Sequence, residues 1–111
     1  MTDKQQQPPR WRSQQTHVVR HAEANRYELY VEDALAGTIE YRAEAGRLTL
    51  VSTAIEPAFA GHGLGSRLVA GALDDARATG ERVVTECEFV DAYIKRHPEY
   101  NGLIDTRNTA T

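Results

Sequence analysis

Ala60-Gly61-His62-Gly63-Leu64-Gly65-Ser66 decides how this chain folds. The residues before it, Leu48-Thr49-Leu50-Val51-Ser52-Thr53-Ala54-Ile55, alternate with a period of two and read as a strand. Pro57 cannot donate to a sheet ladder, so that strand is expected to stop near Glu56. Beyond the glycines, Leu64, Leu68, Val69, Ala72, Leu73 and Ala76 fall on one face of a helix over 63–79. Gly80 supplies the left-handed residue that ends it. Strand, glycine loop and helix in this order form an anion-binding design. The first amides of a helix have no partner within it, and the helix dipole adds positive charge at the same end. Glycines let the backbone approach a phosphate without a side chain between them. Residues 61–66 are therefore a candidate cradle for a pyrophosphate, against the plainer reading of a turn that only joins two elements.

Outward from this centre, the pattern gives strands over 17–20, 27–32, 35–42 and 48–55, with turns at Ala22 to Arg26, Asp33-Ala34 and Glu44-Ala45-Gly46. These four strands predict an antiparallel meander. After it come the helix over 63–79, a strand over 82–86 and a helix over 89–96 stopped by Pro98. The fold class is α+β, a mixed sheet in which 48–55 and 82–86 become parallel neighbours through a right-handed crossover. Residues 1–15, rich in Gln, Pro and Arg, read as a disordered arm, and 105–111 as a flexible polar tail, leaving one domain over 16–104.

Composition narrows the function. The 111 residues suit one domain, 41% are hydrophobic, and the net charge is -3, so nothing draws the chain to nucleic acid. No stretch spans a membrane or forms a secretory signal. The single cysteine, Cys87, excludes an internal disulfide; of the four histidines only His17 and His21 are four apart, and they lie in a strand-like run with no matching Cys pair. A cytoplasmic protein without a metal, monomeric or a weak homodimer, is expected.

The glycine segment between strand and helix is similar to the acetyl-CoA-binding motif of the GNAT acyltransferase superfamily, written Q/R-x-x-G-x-G/A. A second segment, Cys87-Glu88-Phe89-Val90-Asp91-Ala92-Tyr93-Ile94-Lys95-Arg96-His97-Pro98-Glu99-Tyr100, resembles a small single-domain branch of short N-acetyltransferase-like proteins. The likeness spans about 17–103. It implies a GNAT-like sheet, acetyl-CoA (coenzyme A) as acyl donor, and an amine acceptor on a small molecule or a protein. It also implies that amides of Gly61, His62, Gly63, Leu64, Gly65 and Ser66 hold the pyrophosphate. Backbone groups of Ala54, Ile55 and Glu56 would pair with the pantetheine arm as an added strand, and Cys87 and Tyr93 would flank the thioester. Relatives usually have Arg or Gln where this chain has Ala60, and the small branch often reads His-Thr-Glu where it has Ser52-Thr53-Ala54. The general base is left unassigned, and a non-catalytic CoA-binding or interaction module is the alternative.

Acyl transfer to an amine needs a neutral amine, a polarised carbonyl and a thiolate able to leave. Cys87, at the start of the last helix, is read as a nucleophile, as a liner of the pantetheine channel, or as a small buried hydrophobe. Tyr93 is read as proton donor to the thiolate or as an aromatic packing residue. Glu56 is a base or a solvated loop residue. Lys95 and Arg96 meet a cofactor phosphate or cap a solvated helix end.

Overall fold

The computed structural model describes residues 16–105, so the expected arm over 1–15 and all of the tail except Asp105 lie outside the described residues. The sheet has five strands in sequence order: β1 (Thr16–His21), β2 (Arg26–Val31), β3 (Ala34–Glu44), β4 (Arg47–Ile55) and β5 (Arg82–Thr85). Strands β1 to β4 form the antiparallel meander, and β4 and β5 are parallel. Helix α1 (Leu64–Thr79) makes the crossover, and α2 (Glu88–Arg96) follows β5. The 98–103 turn is 3-10, and Ile104 then bridges Val83 on the outer edge of β5.

Periodicity explains the layers. Leu64, Leu68, Val69, Ala72, Leu73 and Ala76 are all buried against the sheet, as the helical stripe predicts. Tyr27, Leu29, Ile39, Leu48 and Leu50 meet them from the strands. Gly37 sits under α1 and beside the end of β4: a Cβ there would come 3.3 Å from Leu68 Cδ2 and 2.5 Å from Ile55 Cδ1. Gly80 ends α1 as foreseen: Gly80 N–H donates to the Arg77 carbonyl and Glu81 N–H to that of Ala76.

Two bulges set the register. In β3, Leu29 pairs with Gly37 but Tyr30 with Leu35, so Ala36 is extra. In β4, Glu40 pairs with Ser52 but Tyr41 with Leu50, so Val51 is extra. Each bulge shifts which backbone groups point to which neighbour. The β3–β4 turn is Ala45-Gly46 alone, with positive φ at both residues (54° and 78°), a conformation that matches the twist of a two-residue hairpin.

Asp105, read as the start of a loose tail, is instead 2% exposed. Its amide donates to the Val83 carbonyl, and its carboxylate accepts from Arg47 Nε at 2.9 Å. The ion pair and the ladder bond together hold a polar residue that composition alone assigned to solvent.

Glu28 is a buried carboxylate on the face of the sheet opposite the helices. Glu28 lies 3.1 Å from His21 Nδ1 and accepts from Arg26 Nε and from the Tyr30 hydroxyl. The bond to His21, then those to Arg26 and Tyr30, hold its carboxyl at about 2, below the ordinary 4.5. A depressed folded value stabilises the protein above the unfolded value, and that contribution fades as pH falls from 4.5 towards about 2. Glu28→Gln should therefore flatten the loss of thermal midpoint across that acid window. Parallel acid limbs for the two proteins would show that Glu28 does not govern it.

Candidate functional site

Helix α1 begins at Leu64, with Gly63 as its cap residue at φ 78° and no side chain capping it. The first intrahelical bond is Arg67 N–H to the Gly63 carbonyl. The amides of Gly63, Leu64, Gly65 and Ser66 are thus the helix's four orphan donors, and none of them meets an acceptor among the described residues. Gly61 also has a positive φ, 84°, and neither it nor Gly63 faces any atom within 4 Å of a built Cβ. These two glycines serve backbone conformation and leave the space in front of the amides open.

That space is a hollow of about 310 Å³ lined by Ile55, Phe59, Ala60, Gly61, Gly63, Leu64, Gly65, Ser66 and Phe89. Six of the nine residues expected to bind cofactor line it: Ile55, Gly61, Gly63, Leu64, Gly65 and Ser66. His62 is exposed outside it. Phe89, 41% exposed, forms the wall nearest α2. Its ring lies so close to Gly65 that a Cβ there would come 2.8 Å from Phe89 Cζ, so Gly65 is small for packing. Phe89 and Phe59 were missed because neither stands out in the local pattern.

From the hollow, β4 runs back along an open edge. Pairing with β5 ends at Leu50 and Thr85, closed by Glu86 N–H donating to the Leu50 carbonyl, while β4 continues to Ile55. The two strands fork there. Of the three residues expected to offer backbone groups at this edge, Ala54 and Glu56 turn theirs the other way. Glu56 N–H donates to the Ala36 carbonyl at 2.8 Å, and the antiparallel ladder repeats every second residue, so Ala54 also faces β3. Ile55 faces the fork, and with it Thr53, which the sequence did not single out. The bulge at Val51 sets this parity, and bulges leave little trace in a hydrophobic pattern.

Cys87 closes the fork. It caps α2, its amide donates to Thr85 Oγ1 at 3.2 Å, and its Sγ lies 3.4 Å from Thr53 Oγ1. Tyr93 makes its ring contacts with other residues. Tyr93 is 7% exposed and stacks on His97 with ring centroids 4.1 Å apart, beside Tyr100. Burial, then the charges of Glu99 and Asp74, raise its hydroxyl pKa. Asp74 accepts from the Tyr100 hydroxyl and lies ten residues into α1, about 15 Å along the helix from Leu64. Tyr93 belongs to that aromatic cluster between the helices. Lys95 likewise lines a separate hollow with Thr85, Ile94 and Asn101, away from the glycines. A further hollow of about 280 Å³, on the face opposite the helices, is rimmed by Glu44 and by two paired cations, Arg42 with Glu86 and Arg47 with Asp105.

The site is thus a forked mixed sheet whose unpaired strand leads to an uncapped helix N-terminus. The model of the GCN5-related N-acetyltransferase family matches residues 26–103, more than half of the sequence, and the chain belongs to that family. The fold is similar to the NMR solution structure of a GCN5-like candidate N-acetyltransferase from Staphylococcus aureus. The TM-score is 0.61 at 16% identity, over 80% of this chain and 87% of that one. No curated protein matches the chain. Among the described residues no helix is long and apolar enough to cross a membrane.

Proposed function

We propose that this protein binds acetyl-CoA and transfers its acetyl group to an amine. The observation that carries the reading is the set of four orphan amides at Gly63 to Ser66, opening on the hollow at the end of the unpaired edge of β4. The residues fit the group. The amides and the glycines at 61 and 63 suit a diphosphate, and the edge groups of Thr53 and Ile55 suit the amides of a pantetheine arm. Bound there, the thioester supplies an activated acyl carbon. The chain's own part is to orient that arm along β4 and to set Cys87 and Thr53 beside its reactive end.

Calorimetry with CoA is the direct test. A micromolar dissociation constant, roughly -8 kcal/mol, is expected. No heat at about millimolar CoA overturns the proposal. Cys87→Ala should slow thiol release by more than about tenfold with CoA affinity within about threefold, because the sulfur lines the reacting end and not the phosphate cradle. Unchanged thiol release would remove Cys87 from the chemistry. Tyr93→Phe is expected to leave thiol release near wild type, since its ring serves the helix interface. CoA binding without thiol release to any amine selects a non-catalytic CoA-binding module, the reading favoured by the small residues Ser52, Ala54 and Ala60.

A further inference from the structure

The hollow and Cys87 lie on the helix side of the sheet, while the opposite side of the fork is bare. Side chains alternate along each strand. Ile39 and Thr53, a register pair, face the helices, so the next pair, Glu40 and Ser52, faces away. Both are exposed, and Ser52 Oγ donates to Glu40 Oε1 at 3.4 Å. We propose that Glu40 and Ser52 form the subsite for the acceptor amine, with Glu40 taking the proton from its ammonium form. The proposal rests on the reading that an acyl-CoA arm lies along β4, and it places the acceptor on the other side of the same fork.

The location follows from register. Ser52 adjoins Thr53, whose hydroxyl meets Cys87, and Leu50 is the last residue of β4 that β5 covers. An amine resting on Ser52 is therefore one residue from the slot, where the splayed strands connect the two faces. The small side chains of Ser52 and Ala54 leave room for it. Of the other carboxylates on this face, Glu28 is bound to His21, Arg26 and Tyr30 and Glu86 to Arg42, while Glu44 lies four residues further along β3, beyond the fork. Glu40 makes no ion pair among the described residues. The charged groups nearest to it are Arg26, its register partner on β2, and Arg42, two residues along β3, each bound to another glutamate.

The chemistry is a single proton transfer. An alkylamine with a pKa of about 10.4 is almost wholly ammonium at neutral pH, so its nitrogen has no free electron pair. When Glu40 accepts the proton, an N–H bond breaks, an O–H bond forms, and the pair stays on nitrogen. Nothing is oxidised or reduced, and exposed Glu40 returns the proton to water.

The test uses n-butylamine as acceptor probe with acetyl-CoA, reading thiol release. Glu40→Gln should lower kcat/KM about 100-fold at neutral pH, with the deficit shrinking as pH rises towards the pKa of the amine. With aniline, already neutral, the variant and wild type should agree within about twofold. In the ligand-free protein, n-butylammonium should shift the NMR signals of the Glu40 and Ser52 amides in wild type and not in Glu40→Gln. Equal losses with both amines, or no loss with either, overturn the assignment. So does a wild type that binds CoA and releases no thiol. A wild type that binds no CoA fails the underlying reading instead, and the ammonium titration then decides the subsite alone.

Discussion

Arg20→Ala should lower the unfolding free energy by about 3 kcal/mol, a fall of roughly 12–24 °C in thermal midpoint. Arg20 joins the first strand, the middle of the sheet and the loop after α1. Nη1 and Nη2 donate to the two oxygens of Glu81 at 2.7 and 3.1 Å, and Nε donates to the Tyr41 hydroxyl at 2.9 Å. The guanidinium lies over the rings of Tyr27 and Tyr41, 5.7 and 4.8 Å from their centroids. Tyr27 in turn donates to Asp75 on α1 at 2.7 Å. With side-chain exposures of 23% and 16%, Arg20 and Glu81 are screened far less than a surface pair. Truncation leaves the half-buried Glu81 carboxylate with the Thr79 hydroxyl but no cation, and the buried Tyr41 phenol without its donor, which costs more than the bond itself contributes. Arg20→Lys keeps the charge but not the two-pronged donor, so it should recover part of the loss. The Arg20 bond holds the Glu81 carboxyl below its ordinary 4.5, so the pair stabilises the fold above that pH and less as pH falls below it. The difference between wild type and Arg20→Ala should narrow in acid. A variant that melts within a degree or two of wild type at neutral pH would show that the Arg20–Glu81 pair does not hold the loop after α1 to the sheet.

This network also marks the limit of what the sequence discloses. The stripe of α1 and the alternation in β2 and β4 are written in spacings of three, four and two, so their elements and their buried faces were legible. Gly46 and Gly80 were legible as well, since the left-handed conformation they adopt favours glycine. Arg20 and Glu81 are 61 residues apart, and no local pattern relates them. Register is harder still. One extra residue, Val51, decides that Thr53 and Ile55 face the fork, so three consecutive residues chosen from the strand's end could not all be right. Tyr93 shows the same limit on a helix: the sequence offered a proton donor or an aromatic packing residue, and only the fold shows its ring against Tyr100 and His97. Glu40 was invisible for a related reason, because its meaning depends on the strand beside it and not on its own neighbours in sequence.

Ser66→Asp is expected to weaken CoA binding by about three orders of magnitude while the protein melts no lower than wild type. Ser66 is the third residue of α1 and lines the hollow. A carboxylate in a first helical turn is favoured by the dipole, and it can accept from the same orphan amides that await a diphosphate. The substitution therefore occupies the cradle with the chain's own charge. Two like charges at about 4 Å, in the intermediate dielectric of such a hollow, repel by about 4 kcal/mol, which is close to a thousandfold in affinity. Ser66→Ala, which removes a hydroxyl and adds no charge, should cost about threefold at most. Stability and affinity are thus driven in opposite directions by one side chain, a pattern that general damage to the fold cannot imitate. Calorimetry and thermal melts on the same samples decide it. A folded Ser66→Asp that binds CoA as wild type does would mean that the diphosphate lies elsewhere, and the acyl-transfer reading built on the amides of α1 would fall with it.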